Sequence, residues 1–418
     1  MQASETEIEK KCWLEIIKQH QLKYPLMQPA DWVKLAYQHV FAGGHLIDDP
    51  EQSLQLLKNE LAAIKTISRN GRGQKTSETE FSADQNRLKH TLSLDQYSCE
   101  SVSAEFDKNC FMTKKTAECD PMLKLRSEMI GQELVRVSLR DLPENDQAVN
   151  TLNDLFVCTA NQIKGSHAQL RDRLAWLLEA SREGIISISA AKINAYINAY
   201  QNKGCPAVHH SETYRRSYHP AYRLIKKIHA DFFGLFVSIN QLLSQKETSL
   251  IALDGSSGCG KSYLSEAVKT VYGDKLQIIH MDDFFLQQHQ RTNERLAQPG
   301  GNIDYERFEQ AIIKPYLQGT LSSYQKFDCR TMSLGKQVEL PPARIYLVEG
   351  VYSQHPVFST YYDLKVFLKI DTNQQLERIR QRSGEILLAK FIETWIPMEN
   401  TYFSAFDIEK KADLSYEV

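Results

Sequence analysis

The sequence predicts an α/β domain with a mostly parallel sheet in its C-terminal half and a mainly α-helical domain ahead of it. Three observations carry this. Apolar runs of strand length begin at residues 249, 276 and 345 and alternate with helical stretches, the pattern of crossover-connected parallel strands. The first run breaks directly into a glycine-rich turn that opens a helix, GSSGCGKS at 255–262. In the N-terminal half, apolar residues recur at three-and-four spacing, as amphipathic helices require.

At 418 residues the chain is long for one core, so two domains are expected, 1–215 and 216–418. Lys plus Arg number 50 against 52 Asp plus Glu, a formal net charge of -2, which gives no global footprint for nucleic acid or an anionic membrane. A small-molecule partner fits that balance better. No apolar run approaches the roughly 18 residues of a membrane span, and MQASETEIEKKCW lacks the basic-then-apolar build of a signal peptide; a cytoplasmic protein is expected. The eight cysteines include no C-x-x-C pair, which speaks against a zinc knuckle or redox dithiol.

In chain order, EIEKKCWLEIIKQ sets Trp13, Ile16 and Ile17 on one helical face. PADWVKLAYQHVF does the same with Val33, Leu35, Ala36 and Val40, starting at Pro29 and Asp31. Residues 69–120 are polar and weakly periodic and read as a flexible insertion. GQELVRVSLRDL alternates like a strand, and helices are expected near 146–163 and 167–183. A further helix takes Ser189 as cap and Gly204 as stop. It feeds a strap, HHSETYRRSYHPAYRLI, carrying His209, His210, Tyr214, Arg215, Arg216, Tyr218 and His219. The strap reads either as an anion or substrate contact or as an interdomain tie whose aromatics pack. Residues 220–245 read as one amphipathic helix.

The run SLIALD, then GSSGCGKS, then a helix from YLSEAVKTVY is the strand–loop–helix setting a phosphate-binding loop needs. Gly255, Gly258 and Gly260 let the backbone turn so that N–H groups from Ser256 to Tyr263, Ser257 and Cys259 among them, face phosphate oxygens at the helix N-terminus. Lys261 would bridge the terminal phosphates of ATP and Ser262 would place its hydroxyl on Mg²⁺, an ion that prefers oxygen ligands. IYLVEG ends a strand in Glu349, a second metal-side acid, and LQIIHMDDFFL ends one in Asp282 and Asp283. One of that pair would be the base that takes a proton from an acceptor hydroxyl. Arg378 and Arg382 share a face of one helix and could close on the phosphates as a lid. Arg291 and the turn PGGN suggest a loop lining the acceptor site, with Asp304 and Tyr305 just after it.

In order, ALDGSSGCGKS, HMDDFF, GNIDYERF, YQKFDCRTMSL, LVEGVY and LKIDTNQQLERIRQR resemble the uridine kinase and phosphoribulokinase-like P-loop kinases. FIETWIPMENTYFSAFDI and the N-terminal stretches look like longer bacterial uridine kinase-like proteins, and DDFFL also resembles the D-glycerate kinases. The resemblance implies a P-loop kinase fold, ATP and Mg²⁺, Asp282 as base and also near the metal, Glu349 as acid at the metal, Asp304 on acceptor hydroxyls, and Arg378 and Arg382 in the lid. One departure bears on the acceptor. Met332 and Leu334 stand where uridine kinases carry a base-reading histidine and arginine, so the pocket lacks the groups that select uracil or cytosine. Arg330 is instead offered to an anionic acceptor. The expected activity is therefore ATP-dependent phosphorylation of a nucleoside, sugar or hydroxy acid, with uridine disfavoured. A nucleotide-gated switch presenting a surface to a protein partner is the alternative, and a homo-oligomer is left open.

Overall fold

The computed structural model describes residues 5–43, 47–70, 125–131 and 133–418. The expected insertion falls almost wholly outside them. The chain divides into two units, one of residues 1–54 with 119–418 and one of 55–118. The described part of the second unit continues helix α3 (Pro50–Asn70).

In the first unit, α1 (Glu5–Lys23) and α2 (Pro29–Phe41) precede a hairpin of β1 (Ser127–Gly131) and β2 (Leu134–Ser138). Next come α4 (Asp146–Gln162), α5 (His167–Arg182), α6 (Ala190–Asn202), the short α7 (Glu212–Tyr218), β3 (Tyr222–Lys226), α8 (Lys227–Asp231) and α9 (Phe233–Gln245). Trp13, Ile17, Trp32, Leu35, Leu174, Leu177 and Ile193 form their core, all essentially fully buried. The expected start of α2 holds: Pro29 opens it, and Asp31 accepts a hydrogen bond from Gln28 N at 2.9 Å.

Residues 220–245 are not one helix. The segment YRLIK forms β3, antiparallel to β2 with Ile225 opposite Val135. Leu224, Ile225 and Ile228 fit helical spacing as well as a strand, and pairing with a distant partner decides between them. The third strand of the N-terminal sheet thus lies beyond residue 215.

The strap ties the N-terminal core together. His210 Nδ1 lies 3.0 Å from Asp31 Oδ1, its Nε2 lies 2.7 Å from Tyr222 Oη, and its ring stacks on Tyr214 with centroids 4.0 Å apart. Burial, outweighing the pull of Asp31, lowers His210 to about 4, so the imidazole is neutral at neutral pH. Burial opposes ionisation of Asp31, but hydrogen bonds from His210, Ser211 and Gln28 prevail and hold it below its ordinary value. The strap is here a packed polar tie.

The C-terminal part carries a five-stranded, wholly parallel sheet. Its strands are β4 (Ser249–Gly255), β5 (Leu276–His280), β8 (Ile345–Glu349), β9 (Leu364–Lys369) and β10 (Leu414–Glu417), in the spatial order β10-β9-β4-β8-β5. A separate antiparallel hairpin, β6 (Ser323–Asp328) with β7 (Ser333–Glu339), stands beside it. The helices of this part are α10 (Lys261–Tyr272), the four-residue α11 (Asn293–Leu296), α12 (Tyr305–Phe308) and α13 (Lys314–Leu317), then α14 (Thr372–Lys390), α15 (Ile396–Phe406) and α16 (Ile408–Lys411). All seven residues of β4 are buried, as a strand covered on both faces demands. This is the expected α/β architecture, a mostly parallel sheet flanked by helices behind a mainly helical N-terminal region.

The register fixes where chemistry can occur. Glu349 at the end of β8 pairs with Leu253 of β4 and with His280 of β5. The C-terminal ends of three adjacent strands therefore bring the glycine loop, Glu349 and the segment after His280 to one edge, where open α/β sheets bind ligands.

Candidate active site

A cleft of about 770 Å³ opens at that edge. Its lining includes Gly258, Gly260, Lys261, Ser262, Tyr263, Asp282, Arg291, Glu349, Arg378 and Arg382. Ten residues expected from separate stretches of sequence thus meet on one surface.

The glycine loop has the backbone the motif requires. Gly255, Gly258 and Gly260 have φ of 144°, 81° and 99°, conformations that L side chains rarely adopt. A Cβ on Gly255 would meet Leu368 O at 2.3 Å. Lys261 donates to Gly255 O at 2.8 Å and Ser256 O at 3.0 Å, so its ammonium lies over the carbonyls of its own loop. Burial works against that charge, but Cys259, Glu399, Asp254 and Glu349 outweigh it and hold Lys261 above its ordinary value. Cys259 is buried beneath the loop.

Ser262 Oγ lies 3.4 and 3.5 Å from the two oxygens of Glu349, and His280 Nδ1 lies 2.6 Å from Glu349 Oε1. That hydrogen bond raises His280 above its ordinary 6.5 against the opposing effect of burial. Asp282 follows β5 by two residues and lines the cleft. The surrounding protein desolvates it, Glu349 and Asp283 add negative charge, and Lys261 and His280 offset them only in part, so its pKa is raised. A raised carboxyl with its face open to a cleft is suited to taking a proton.

Helix α14 brings Arg378 over the loop, with Nη1 3.4 Å from Cys259 O. Arg382, one turn on, sits 5.7 Å from the Phe391 ring. The helix breaks at Gly384 (φ 77°), and the segment after it returns Phe391 and Trp395 to the cleft wall.

Four residues assigned to the acceptor do not line the cleft. Asp304 is buried as the cap of α12: Oδ1 accepts from Arg307 N at 3.0 Å, and Oδ2 accepts from Gln290 Nε2 at 2.9 Å. It thereby steadies the loop that carries Arg291. The Asp283 carboxylate accepts from Tyr324 Oη at 2.8 Å. Tyr305 lies under the Arg295 guanidinium at 3.6 Å and stacks on His355. The Arg330 side chain is 92% exposed at the β6–β7 turn, beside Asp328. Of the strap residues, Tyr214 is buried in the N-terminal core, and Arg215 pairs with Glu212 on an exposed helix face.

Other residues stand where those were expected. Phe285, Phe327, Cys329, Met332, Asn302 and Tyr352 line the far end of the cleft with Arg291. Asn302 Oδ1 is buried without a hydrogen-bond partner among the described residues. Glu399 of α15 is 4% exposed, accepts from Ser257 N at 3.0 Å and from Ser257 Oγ, and is raised by burial. Asp254 accepts from Gly255 N, Gln354 N and Tyr402 Oη, yet complete burial pushes it up to about 6. The only advance sign of Asp254 was its place just before the glycines.

No family model matches this chain. Similar solved structures include a possible uridine kinase from Bacillus stearothermophilus, 18% identical, covering 44% of this chain and 98% of that one with a TM-score of 0.32. A proposed fructose transport system kinase from a Silicibacter species is 19% identical over 43% of this chain and 95% of its own, TM-score 0.34. A D-glycerate 3-kinase from Cryptococcus neoformans is 15% identical over 40% and 87%, TM-score 0.30. All three are described as kinases.

Proposed function

We propose that the protein transfers the γ-phosphate of ATP to a hydroxyl of a small metabolite. The observation that carries this is the meeting of Lys261, Ser262, Asp282, Glu349, Arg378 and Arg382 on one cleft. Phosphoryl transfer asks little covalent chemistry of a protein and much positioning and charge, which is what these residues supply. Asp282 takes the acceptor's proton while the new oxygen–phosphorus bond forms and the bond to ADP breaks. Lys261, Arg378 and Arg382 neutralise the charge that moves onto the leaving oxygen.

The oxygens of Ser262 and Glu349 suit Mg²⁺, which binds few protein oxygens and otherwise keeps water and phosphate. Among the described residues no cluster of three His, Cys, Asp or Glu could hold a metal alone. Such an ion, held by Ser262 and Glu349, would supply charge stabilisation to the nucleotide. Phe285, Phe327 and Met332 offer the acceptor an apolar wall, and Arg291 favours one with an acid group, such as a hydroxy acid or sugar phosphate.

The test is ADP release by purified protein with Mg-ATP across nucleosides, sugars, glycerate-like acids and sugar phosphates, with Asp282→Asn alongside. An acceptor-dependent rate lost in the variant supports the reading. A flat panel with tight ATP binding favours the nucleotide-gated switch, for which the contact of Tyr263 Oη with Glu133 at 2.9 Å offers a link between P-loop helix and N-terminal hairpin.

A further inference from the structure

We infer a second ligand site, for a small oxyanion-bearing metabolite, in the N-terminal part of the chain. A cavity of about 190 Å³ lies between the end of α1, the β1–β2 hairpin and the strap. Its lining holds four cations, Lys23, Arg126, Arg136 and Arg140, against one carboxylate, Glu128, in a chain whose overall charge is slightly negative. Four tyrosines, Tyr24, Tyr214, Tyr218 and Tyr222, complete the wall.

The cations are not all spent on one another's partners. Glu128 accepts from Lys23 Nζ at 2.7 Å and from Arg136 Nη1 at 3.4 Å, and these two with Arg136 burial consume its charge. Arg136 is the built element: its side chain is 3% exposed, oriented by Gln38 Oε1 through Nε at 3.2 Å and Nη2 at 2.6 Å, and braced against the Tyr222 ring. Arg140 donates to a neutral group, His219 O, at 2.7 Å. Arg126 is 82% exposed and 3.7 Å from Asp141. Adding Asp141 to the count still leaves four cations against two carboxylates.

A guanidinium held rigid by a neutral amide, with two more arginines at the rim, is the arrangement that recognises phosphate or carboxylate. The tyrosine rings pack on one another, with Tyr24–Tyr218 and Tyr214–Tyr218 centroids 5.0 and 4.8 Å apart, and offer the body of such a ligand a flat wall. The volume falls below the roughly 300 Å³ at which pockets for drug-sized ligands begin, which suits a compound of a few carbons. None of these residues lines the kinase cleft.

The test titrates inorganic phosphate and glycerol 3-phosphate into the full chain by calorimetry. The same titration is run on Arg126→Gln/Arg140→Gln, two exposed positions whose change spares the core, and on Lys261→Ala in the phosphate loop. The site predicts a binding event that persists in Lys261→Ala with its affinity changed by less than about twofold, separate from any binding at the phosphate loop, and that is weakened about tenfold or more in the double variant. Tighter binding of glycerol 3-phosphate than of phosphate would show that the tyrosine wall takes part. Binding lost in Lys261→Ala and intact in the double variant would assign the anion to the phosphate loop and overturn the inference. So would binding of neither probe up to about 10 mM. An unchanged melting temperature of the double variant keeps a loss of binding from being a loss of fold.

Discussion

The phosphate end of the cleft and its acceptor end are built by different means. At the phosphate end, Glu349 ends β8, Asp282 follows β5 by two residues, and Lys261 and Ser262 open α10 after the glycine loop that follows β4, so the register of three neighbouring strands brings them to one edge. At the acceptor end the wall comes from the segment after β5, the loop before α12, the end of β6 with its turn and Tyr352 after β8, four pieces that meet through tertiary packing. Charged residues dominate the first end, whereas aromatic and sulfur-bearing side chains dominate the second. On the proposed function, transfer chemistry would be carried by the scaffold and acceptor choice by loops, which can change without disturbing it.

The sharpest way to break this comparison is to remove the base. Asp282→Asn is expected to lower kcat by about 10²- to 10⁴-fold while ATP affinity stays within about twofold, measured by steady-state kinetics and calorimetry. A parallel loss of ATP affinity would make Asp282 part of the nucleotide site instead. The pH profile sharpens the same point. The base must be ionised to act, and its folded pKa is raised, so the rate falls as pH drops through a value above the ordinary 3.8. An acid limb at or below 3.8 would contradict the assignment, and a limb abolished in His280→Asn would assign it to His280, whereas one only moved upward is what loss of the His280 charge near Asp282 predicts.

Lys261→Ala is expected to weaken ATP binding by about 10- to 100-fold, the worth of charge-assisted contacts, without moving the acceptor KM. At the other end, Phe327→Ala should raise acceptor KM about tenfold with ATP KM unchanged. Arg330→Ala should change either constant by less than about twofold, since its side chain is in solvent at the turn. The smallest effect is expected between the two halves of the chain: Tyr263→Phe removes an exposed hydrogen bond to Glu133 and should shift stability by less than about 0.5 kcal/mol in chemical unfolding.

What the sequence made legible follows the same division. The glycine loop could be read because its backbone is dictated locally: a side chain at 255 would strike Leu368 O, and only glycine fits. Asp282 and Glu349 were legible because they end apolar runs, and parallel strands present their C-terminal ends together. Glu399 could not be read, since it holds Ser257 across 142 positions and nothing in WIPMEN marks it. Asp304 was placed on acceptor hydroxyls by the resemblance alone; in the structure it caps α12, its carboxylate taken up by Arg307 N and Gln290. The strand β3 was misread because its apolar spacing suits either period, and only its partner strand resolves it.

The central claim is transfer of phosphate to an acceptor rather than to water, and phosphorus NMR of the reaction mixture tests it most directly. With Mg-ATP and the best acceptor from the panel, the account predicts a growing phosphomonoester resonance matched by ADP and absent with Asp282→Asn. ATP converted only to ADP and inorganic phosphate, at the same rate with and without every acceptor, would contradict it.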